Sequence, residues 1–145
     1  MKSLFKRICI SSDHAGFFTK EHIKQLILKN KISIIDLGPN SKVSVDYPDF
    51  AKKVGKRVKS KKSDVGILVC GSWTGMAMTA NKIKGIRAAV CYNNSSTYLC
   101  RKHNNANILC LGSRLTKRKD IIKILSIFLN TKFEGGRHKR RINKI

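Results

Sequence analysis

Short apolar runs alternate along the chain with longer segments in which hydrophobic residues recur at helical spacing. In the segment 17–30, apolar side chains at positions 18, 23, 26 and 27 are separated by polar ones, which indicates an amphipathic helix. Short runs rich in β-branched residues are typical of strands. The pattern predicts strands at 7–12, 32–36, 65–69, 86–91 and 107–111, and helices at 17–30, 47–59, 74–82, 95–102 and 117–129.

Strands that alternate with helices of this length favour right-handed βαβ units, and therefore a parallel sheet covered by helices on both faces. The pattern thus predicts an α/β fold. A chain of 145 residues has the size of one domain, so we expect a single domain over 1–145 with a basic C-terminal tail at 131–145.

No apolar run reaches the roughly 18 residues needed to span a bilayer, and the first residues lack the apolar core of a signal peptide. We therefore expect a cytoplasmic protein with no membrane partner. The five cysteines are Cys9, Cys70, Cys91, Cys100 and Cys110. Their odd number and the absence of a C-x-x-C pair favour reduced thiols over disulfides or a zinc site.

The net charge is high, because 31 lysines and arginines stand against 8 acidic residues and give a formal +23. Nucleic-acid binding is one interpretation of such a balance. The lysines are spread along the chain without interleaved aromatic residues, however, so we expect no nucleic-acid partner and treat most of this charge as a solvated surface. A smaller share would attract an anionic substrate.

Ligands of parallel sheets bind beyond the carboxyl ends of the strands, and two polar groups of residues fall there. Asp13-His14 follows the first predicted strand, and Cys70-Gly71-Ser72-Trp73-Thr74-Gly75 joins the third strand to a helix. Glycines and a helix N-terminus direct N–H groups and partial positive charge at an anion. Such a site can hold a phosphate or an oxyanion, and it can lower the pKa of a thiol. An ordinary tight turn with a buried cysteine is the alternative that the local sequence allows.

The remaining candidates are open to two interpretations each. His14 is a possible acid or base, whereas Asp13 is equally suited to cap a helix. His103, Asn104 and Asn105 end a predicted helix, and asparagine is also common at helix ends. The arginines of the tail suit phosphate, but a basic tail can also touch nucleic acid nonspecifically.

Several segments occur together in a fixed order along nearly the whole chain. They are Ser12-Asp13-His14-Ala15-Gly16, Val45-Asp46-Tyr47-Pro48-Asp49, Cys70-Gly71, Ala80-Asn81-Lys82, Gly85-Ile86-Arg87-Ala88-Ala89, His103-Asn104, Ala106-Asn107, Gly112-Ser113-Arg114 and Phe133-Glu134-Gly135-Gly136-Arg137-His138. In this order they resemble ribose-5-phosphate isomerases of the B type, in the wider family that includes galactose-6-phosphate isomerase subunits.

The resemblance implies a doubly wound, three-layer α/β/α Rossmann-like fold with a five-stranded parallel sheet. It also implies an aldose–ketose isomerase of the pentose phosphate pathway that interconverts ribulose 5-phosphate and ribose 5-phosphate. The family uses no organic cofactor and no metal. It forms homodimers or homotetramers, with the active site between subunits.

The resemblance also assigns roles to residues of this chain. Cys70 would move the proton between C1 and C2 of the sugar, and His103 would assist ring opening. The loop of Gly71, Ser72, Trp73, Thr74 and Gly75 would stabilise the enediolate. The substrate would be held by Asp13, His14, Asn104, Arg114, Arg137 and Arg141, with the arginines on the phosphate.

Three positions depart from the family pattern. The family usually has Cys-Gly-Thr-Gly-x-Gly, whereas this chain has Ser72 and then the bulky Trp73, a residue that resists positive φ. Asn105 stands where an aspartate is usual. Trp73 motivates the alternative of a six-carbon sugar phosphate as substrate, and the net charge motivates a third option, a noncatalytic nucleic-acid-binding relative.

Overall fold

The computed structural model describes all 145 residues as five strands and six helices. The strands are β1 (Arg7–Ser12), β2 (Ser33–Asp36), β3 (Val65–Cys70), β4 (Ala88–Val90) and β5 (Ile108–Gly112). The helices are α1 (Phe17–Lys29), α2 (Tyr47–Lys59), α3 (Thr74–Asn81), α4 (Asn94–Lys102), α5 (Arg118–Asn130) and α6 (Gly136–Ile142). All ten predicted elements are present, and β4 is shorter than its apolar run.

The five strands form one parallel sheet in the order β2-β1-β3-β5-β4. The chain moves outward from β1 to β2 and then returns to the other side of β1 to form β3. The direction of winding therefore reverses between β1 and β3. Ligands of open α/β sheets bind beyond the carboxyl ends of the strands at such a reversal.

The sheet separates two hydrophobic cores, so the predicted three-layer α/β/α Rossmann-like architecture is confirmed. Alternating strand residues point to opposite faces, so Val69 belongs to the core beneath α1, α4 and α5. Leu68 and Cys70 belong to the core beneath α2 and α3. The side chain of Cys70 therefore faces the α2–α3 layer.

The predicted basic tail contains an element that the sequence pattern did not indicate, the helix α6. Its basic side chains Arg137 and Arg141 are exposed, whereas His138 is buried, with only 6% of its surface accessible to solvent. The segment before α6 is tied to the end of α4, since the backbone N–H of Glu134 donates to the carbonyl of Lys102 at 3.0 Å. A single buried residue produces no apolar periodicity, which explains why the pattern missed this helix.

None of the helices is both long and apolar enough to cross a membrane. All five cysteines carry free thiols in this structure. Cys91 and Cys100 nevertheless lie close together, with their sulfur atoms 3.5 Å apart.

A buried ammonium group supports the carboxyl edge of β1 and β2. The Lys20 side chain is fully buried, and its Nζ donates to a carboxylate oxygen of Asp36 at 2.7 Å and to the carbonyl of Pro39 at 2.8 Å. The carbonyl of Gly38, beside Pro39, accepts the hydroxyl of Ser11 at 2.7 Å. Burial tends to raise the pKa of Asp36, but the ammonium groups of Lys20 and Lys24 lower it overall.

We expect Asp36→Asn to reduce the free energy of unfolding by about 3 kcal/mol at neutral pH, because it leaves the Lys20 ammonium without its main counter-charge. A carboxyl group whose pKa is lowered by folding stabilises the protein above its unfolded pKa, and this contribution is lost as the pH falls through the folded pKa. Urea denaturation should therefore show the difference between wild type and variant shrinking below about pH 4.

The matched control is Asp64→Asn, since Asp64 pairs with Arg7, whose side chain is 55% exposed. An exposed pair of this kind contributes at most about 1 kcal/mol. An equal loss of unfolding free energy in Asp36→Asn and Asp64→Asn would contradict a special role for the buried ion pair of Lys20 and Asp36.

Candidate active site

The first group of candidate residues follows β1 at the carboxyl edge of the sheet. Asp13 is buried, its backbone N–H donates to the carbonyl of Val69 at 3.1 Å, and its carboxylate accepts the N–H of Gly16 at 2.8 Å. Asp13 thus fixes the turn that leads into α1, but the N-cap of this helix is Gly16, so the alternative of Asp13 as the helix cap is wrong. The Nδ1 atom of His14 accepts the N–H of Val45 at 3.3 Å. The neutral ring therefore carries its proton on Nε2.

Cys70 ends β3 and is followed by the loop that begins α3. Only 5% of Cys70 is exposed. The backbone N–H groups of Ser72, Trp73 and Met76 interact with the sulfur and lower its pKa. The loop therefore directs N–H groups toward the sulfur, and the binding of an anion by this loop stays a prediction.

The pKa of the Cys70 thiol is nevertheless raised, so the expectation of a lowered value is wrong for the single chain. Burial is the largest cause, and the negative charge of Asp13 adds to it. Both effects disfavour a thiolate, and together they outweigh the N–H donors. No cationic side chain is among the groups that shift this thiol.

Trp73 adopts the backbone conformation that the family pattern reserves for glycine. Its φ is +57°, a left-handed conformation that costs an L residue roughly 1–2 kcal/mol. The indole lies over Gly112, where an added Cβ would be 2.4 Å from its Cε3 atom. Gly112 is the partner of Cys70 in the β3–β5 register. The indole therefore fills space next to Cys70, and it also contacts Tyr92 with ring centroids 6.4 Å apart.

Two further side chains cover the same loop. The guanidinium of Arg114 lies against Gly71, where an added Cβ would be 3.2 Å from its Nη1 atom. The ring of Tyr47 covers Gly75, with its Cζ atom 2.6 Å from a Cβ built there. The Thr74 hydroxyl donates to the carbonyl of Ser72 at 3.0 Å, so it shapes the loop. Arg114 is exposed and available to an anion beside the loop.

The second group of candidate residues lies at the amino edge of the sheet. Because α4 returns from the carboxyl end of β4 to the start of β5, its last turn and His103 are at the opposite edge from Cys70. Arg87 fixes the loop after His103, with its guanidinium donating to the carbonyls of Asn104 and Asn105 at 3.0 and 3.1 Å. Asn105 has a φ of +47°, which asparagine tolerates better than most residues.

His103 stacks on a buried residue of α6. The rings of His103 and His138 are nearly parallel, with centroids 4.2 Å apart and an interplanar angle of 6°. Glu134 lies beside them, and the ligand atoms of the three residues are within 4.8 Å of one another. Arg137 and Arg141 project from the same helix, α6.

The structure thus divides the predicted site residues into two groups. The carboxyl-edge group contains Asp13, His14, Cys70, Gly71, Ser72, Trp73, Thr74, Gly75 and Arg114, and the amino-edge group contains His103, Asn104, Arg137 and Arg141. Between the two edges runs β3, whose six residues at about 3.3 Å each span about 20 Å. Within one chain, Cys70 and His103 do not meet.

Sequence reasoning assigned no role to several residues that shape these groups. Three of them lie in the segments that resemble the isomerase family: Tyr47, Glu134 and His138. The sequence identified these segments but could not predict the contacts that the three side chains make. Arg87 likewise lies in a matched segment, but its contact with the loop after His103 depends on the β4–β5 pairing.

Comparisons with known proteins agree with this geometry. A family model described as "Ribose/Galactose Isomerase" matches residues 8–145. The chain belongs to this isomerase family. A Mycoplasma genitalium protein described as "Probable ribose-5-phosphate isomerase B" is 46% identical, with 95% of this chain and 92% of that protein aligned.

Solved structures of the isomerase family share the fold closely. A ribose 5-phosphate isomerase from Thermotoga maritima is 48% identical and superposes with a TM-score of 0.94 over 95% of each chain. The Mycoplasma genitalium ribose-5-phosphate isomerase B was crystallised with bound ribulose 5-phosphate. It is 45% identical, with a TM-score of 0.90 over 95% of this chain and 92% of its own.

We expect Gly112→Ala to cost about 1–3 kcal/mol of unfolding free energy, because the new methyl group would overlap the Trp73 indole. In a Trp73→Gly background, Gly112→Ala should reduce the free energy of unfolding much less, because the indole is absent. Chemical denaturation of the wild type, both single variants and the double variant measures this coupling. An alanine that costs the same in both backgrounds would contradict the placement of the indole over Gly112.

Proposed function

We propose that this chain interconverts ribulose 5-phosphate and ribose 5-phosphate by proton transfer through an enediolate. One observation carries the proposal: Cys70 lies at the winding reversal of the sheet, where N–H groups of its loop surround the sulfur. Membership of the isomerase family and the ribulose 5-phosphate complex of its Mycoplasma genitalium member support the choice of substrate.

In the proposed reaction, the thiolate of Cys70 removes the proton from C2 of the open-chain aldose. The electrons of the C–H bond move toward the carbonyl, whose oxygen becomes part of an enediolate. The proton of the C2 hydroxyl then moves to O1, Cys70 returns its own proton to C1, and C2 becomes the carbonyl carbon of the ketose. The backbone N–H groups of the loop from Gly71 to Gly75, with the Ser72 hydroxyl, stabilise the developing negative charge.

We propose that the complete site needs a second copy of the chain. The substrate must contact both Cys70 and His103, which lie at opposite edges of the sheet. A homodimer or homotetramer that apposes these edges would bring His103, Asn104, Arg137 and Arg141 of one copy to Cys70 of another. A two-fold axis would create two such sites for each pair of copies.

The second copy also accounts for the ionisation of the thiol. In the single chain, burial and Asp13 raise the pKa of Cys70. Arg137 and Arg141 of a second copy would add positive charge at this edge, and nearby positive charge favours a thiolate. The substrate phosphate would neutralise part of this charge and use it for binding.

The position of Trp73 bears on substrate size. Its indole takes up room beside Cys70, which supports a five-carbon substrate over the six-carbon alternative. The five-carbon and six-carbon alternatives can be compared by measuring kcat/KM for ribose 5-phosphate, allose 6-phosphate and galactose 6-phosphate.

The free thiols further support a reducing compartment such as the cytoplasm.

We expect Cys70→Ala to lower kcat/KM for ribose 5-phosphate by at least about 100-fold, because no other group is proposed to move the proton. Cys70→Ser keeps the shape of the side chain but loses its acidity, so it should be similarly inactive. The control Cys100→Ala removes a thiol that packs against the other hydrophobic core, on the opposite face of the sheet from Cys70, and should remain active. A Cys70→Ala enzyme with normal activity would exclude the mechanism.

We expect Cys70→Ala and His103→Ala to be inactive separately and to regain activity when mixed and reassembled. Random pairing places both intact residues in one of the two sites of each mixed dimer, which restores about a quarter of wild-type activity. The measurement is ribose 5-phosphate turnover after co-refolding equal amounts of the two variants. If one chain supplied both residues, the mixture would stay inactive.

A further inference from the structure

The amino-edge cluster of His103, Glu134 and His138 has features that the proposed reaction does not use. Their ligand atoms lie within 4.8 Å of one another. The Nε2 atom of His138 is buried without a hydrogen-bond partner, an exception to the rule that buried polar atoms are paired. This atom lies 3.7 Å from Oε1 of Glu134.

We propose that His103, Glu134 and His138 bind a transition-metal ion of the Zn²⁺ type, and that the bound ion inhibits the enzyme by occupying His103. The binding site stands independently of the reaction. The inhibition rests on the proposed function, in which His103 assists ring opening. The ion is a regulatory ligand here and takes no part in the reaction.

The donor set fits such an ion. Two imidazoles and one carboxylate are a common ligand set for Zn²⁺, and three protein ligands leave a fourth position for water. Glu134 can serve without giving up its existing partner. Its Oε2 pairs with the ammonium of Lys102 at 3.2 Å, while its Oε1 faces the unpaired Nε2 of His138.

The two imidazole rings must reorient to share one ion. Zinc–nitrogen distances of about 2.0–2.1 Å require neighbouring ligand atoms to come within about 3.4 Å in a tetrahedral site. Because the lone pairs lie in the planes of the rings, the stacked rings would have to turn toward a common point, and the half-buried His103 at the end of α4 is less confined than the buried His138.

The charge around the cluster restricts which ions bind. Lys102, Arg137 and Arg141 are cationic neighbours, and they oppose any cation held mainly by electrostatic attraction. A hard ion such as Mg²⁺ prefers oxygen ligands and gains little from imidazole. Zn²⁺ and Co²⁺ bind imidazole strongly enough to be selected.

Titration of the full-length protein with Zn²⁺ by calorimetry, and with Co²⁺ by visible absorption, tests the site directly. We expect His138→Gln and Glu134→Gln each to weaken Zn²⁺ binding by about tenfold or more. Even the mutation of a residue that only hydrogen-bonds to a metal ligand typically lowers metal affinity by about 10- to 100-fold. Glu134 is exposed, so Glu134→Gln reports on binding even if His138→Gln disturbs folding.

Two controls separate this site from other metal-binding groups. His22→Gln removes a histidine that contacts Arg118 elsewhere, and Cys100→Ala breaks up the close pair of thiols formed by Cys91 and Cys100. Both should bind Zn²⁺ as the wild type does, and Mg²⁺ should produce no signal. Unchanged binding in Glu134→Gln, or loss of binding in Cys100→Ala, would overturn the proposal.

The activity assay distinguishes the two hypotheses. Zn²⁺ should reduce turnover of ribose 5-phosphate at concentrations near its Kd, and a chelator should restore it. Zinc binding by a protein that isomerises no sugar phosphate would refute the proposed function and leave the metal site standing. An active isomerase that binds no zinc at this cluster would refute the metal site alone.

Discussion

A parallel sheet places the carboxyl ends of all its strands on one edge, and the helices that return between strands end on the other. This constraint governs the whole molecule. Cys70 and its N–H donors follow a strand, whereas His103 follows a helix, so the fold itself separates them by the length of β3. No local rearrangement of a loop could bridge that distance. Any function that needs both residues must therefore be a property of an assembly.

Much of the architecture could be predicted from the sequence, because the strands and most helices have strong periodic signals. The run from Val65 to Val69 is apolar throughout, as expected for a strand buried on both faces. Helix α6 could not be predicted, since it buries one histidine and owes its position to contacts with the end of α4. The sheet order also depends on long-range pairing that no short segment encodes.

The candidate site could be predicted only in part. Local patterns identified Cys70, His14 and the glycine-containing loop, because each follows a strand. The pKa of Cys70 could not be predicted, because it depends on how deeply the sulfur is buried and on Asp13 from another strand. The unpaired Nε2 of His138 could not be predicted either, because it results from the packing of α6 against His103.

At the loop after β3, each bulky aromatic side chain packs against a glycine from another segment of the chain. Gly112 leaves the room that the Trp73 indole occupies, and Gly75 leaves the room for the Tyr47 ring. The small member of each pair comes from a different segment than the large one. The shape of this loop therefore depends on two positions at a time. A change of size at one member of a pair would have to be matched at the other, so the two positions are constrained to change together in evolution.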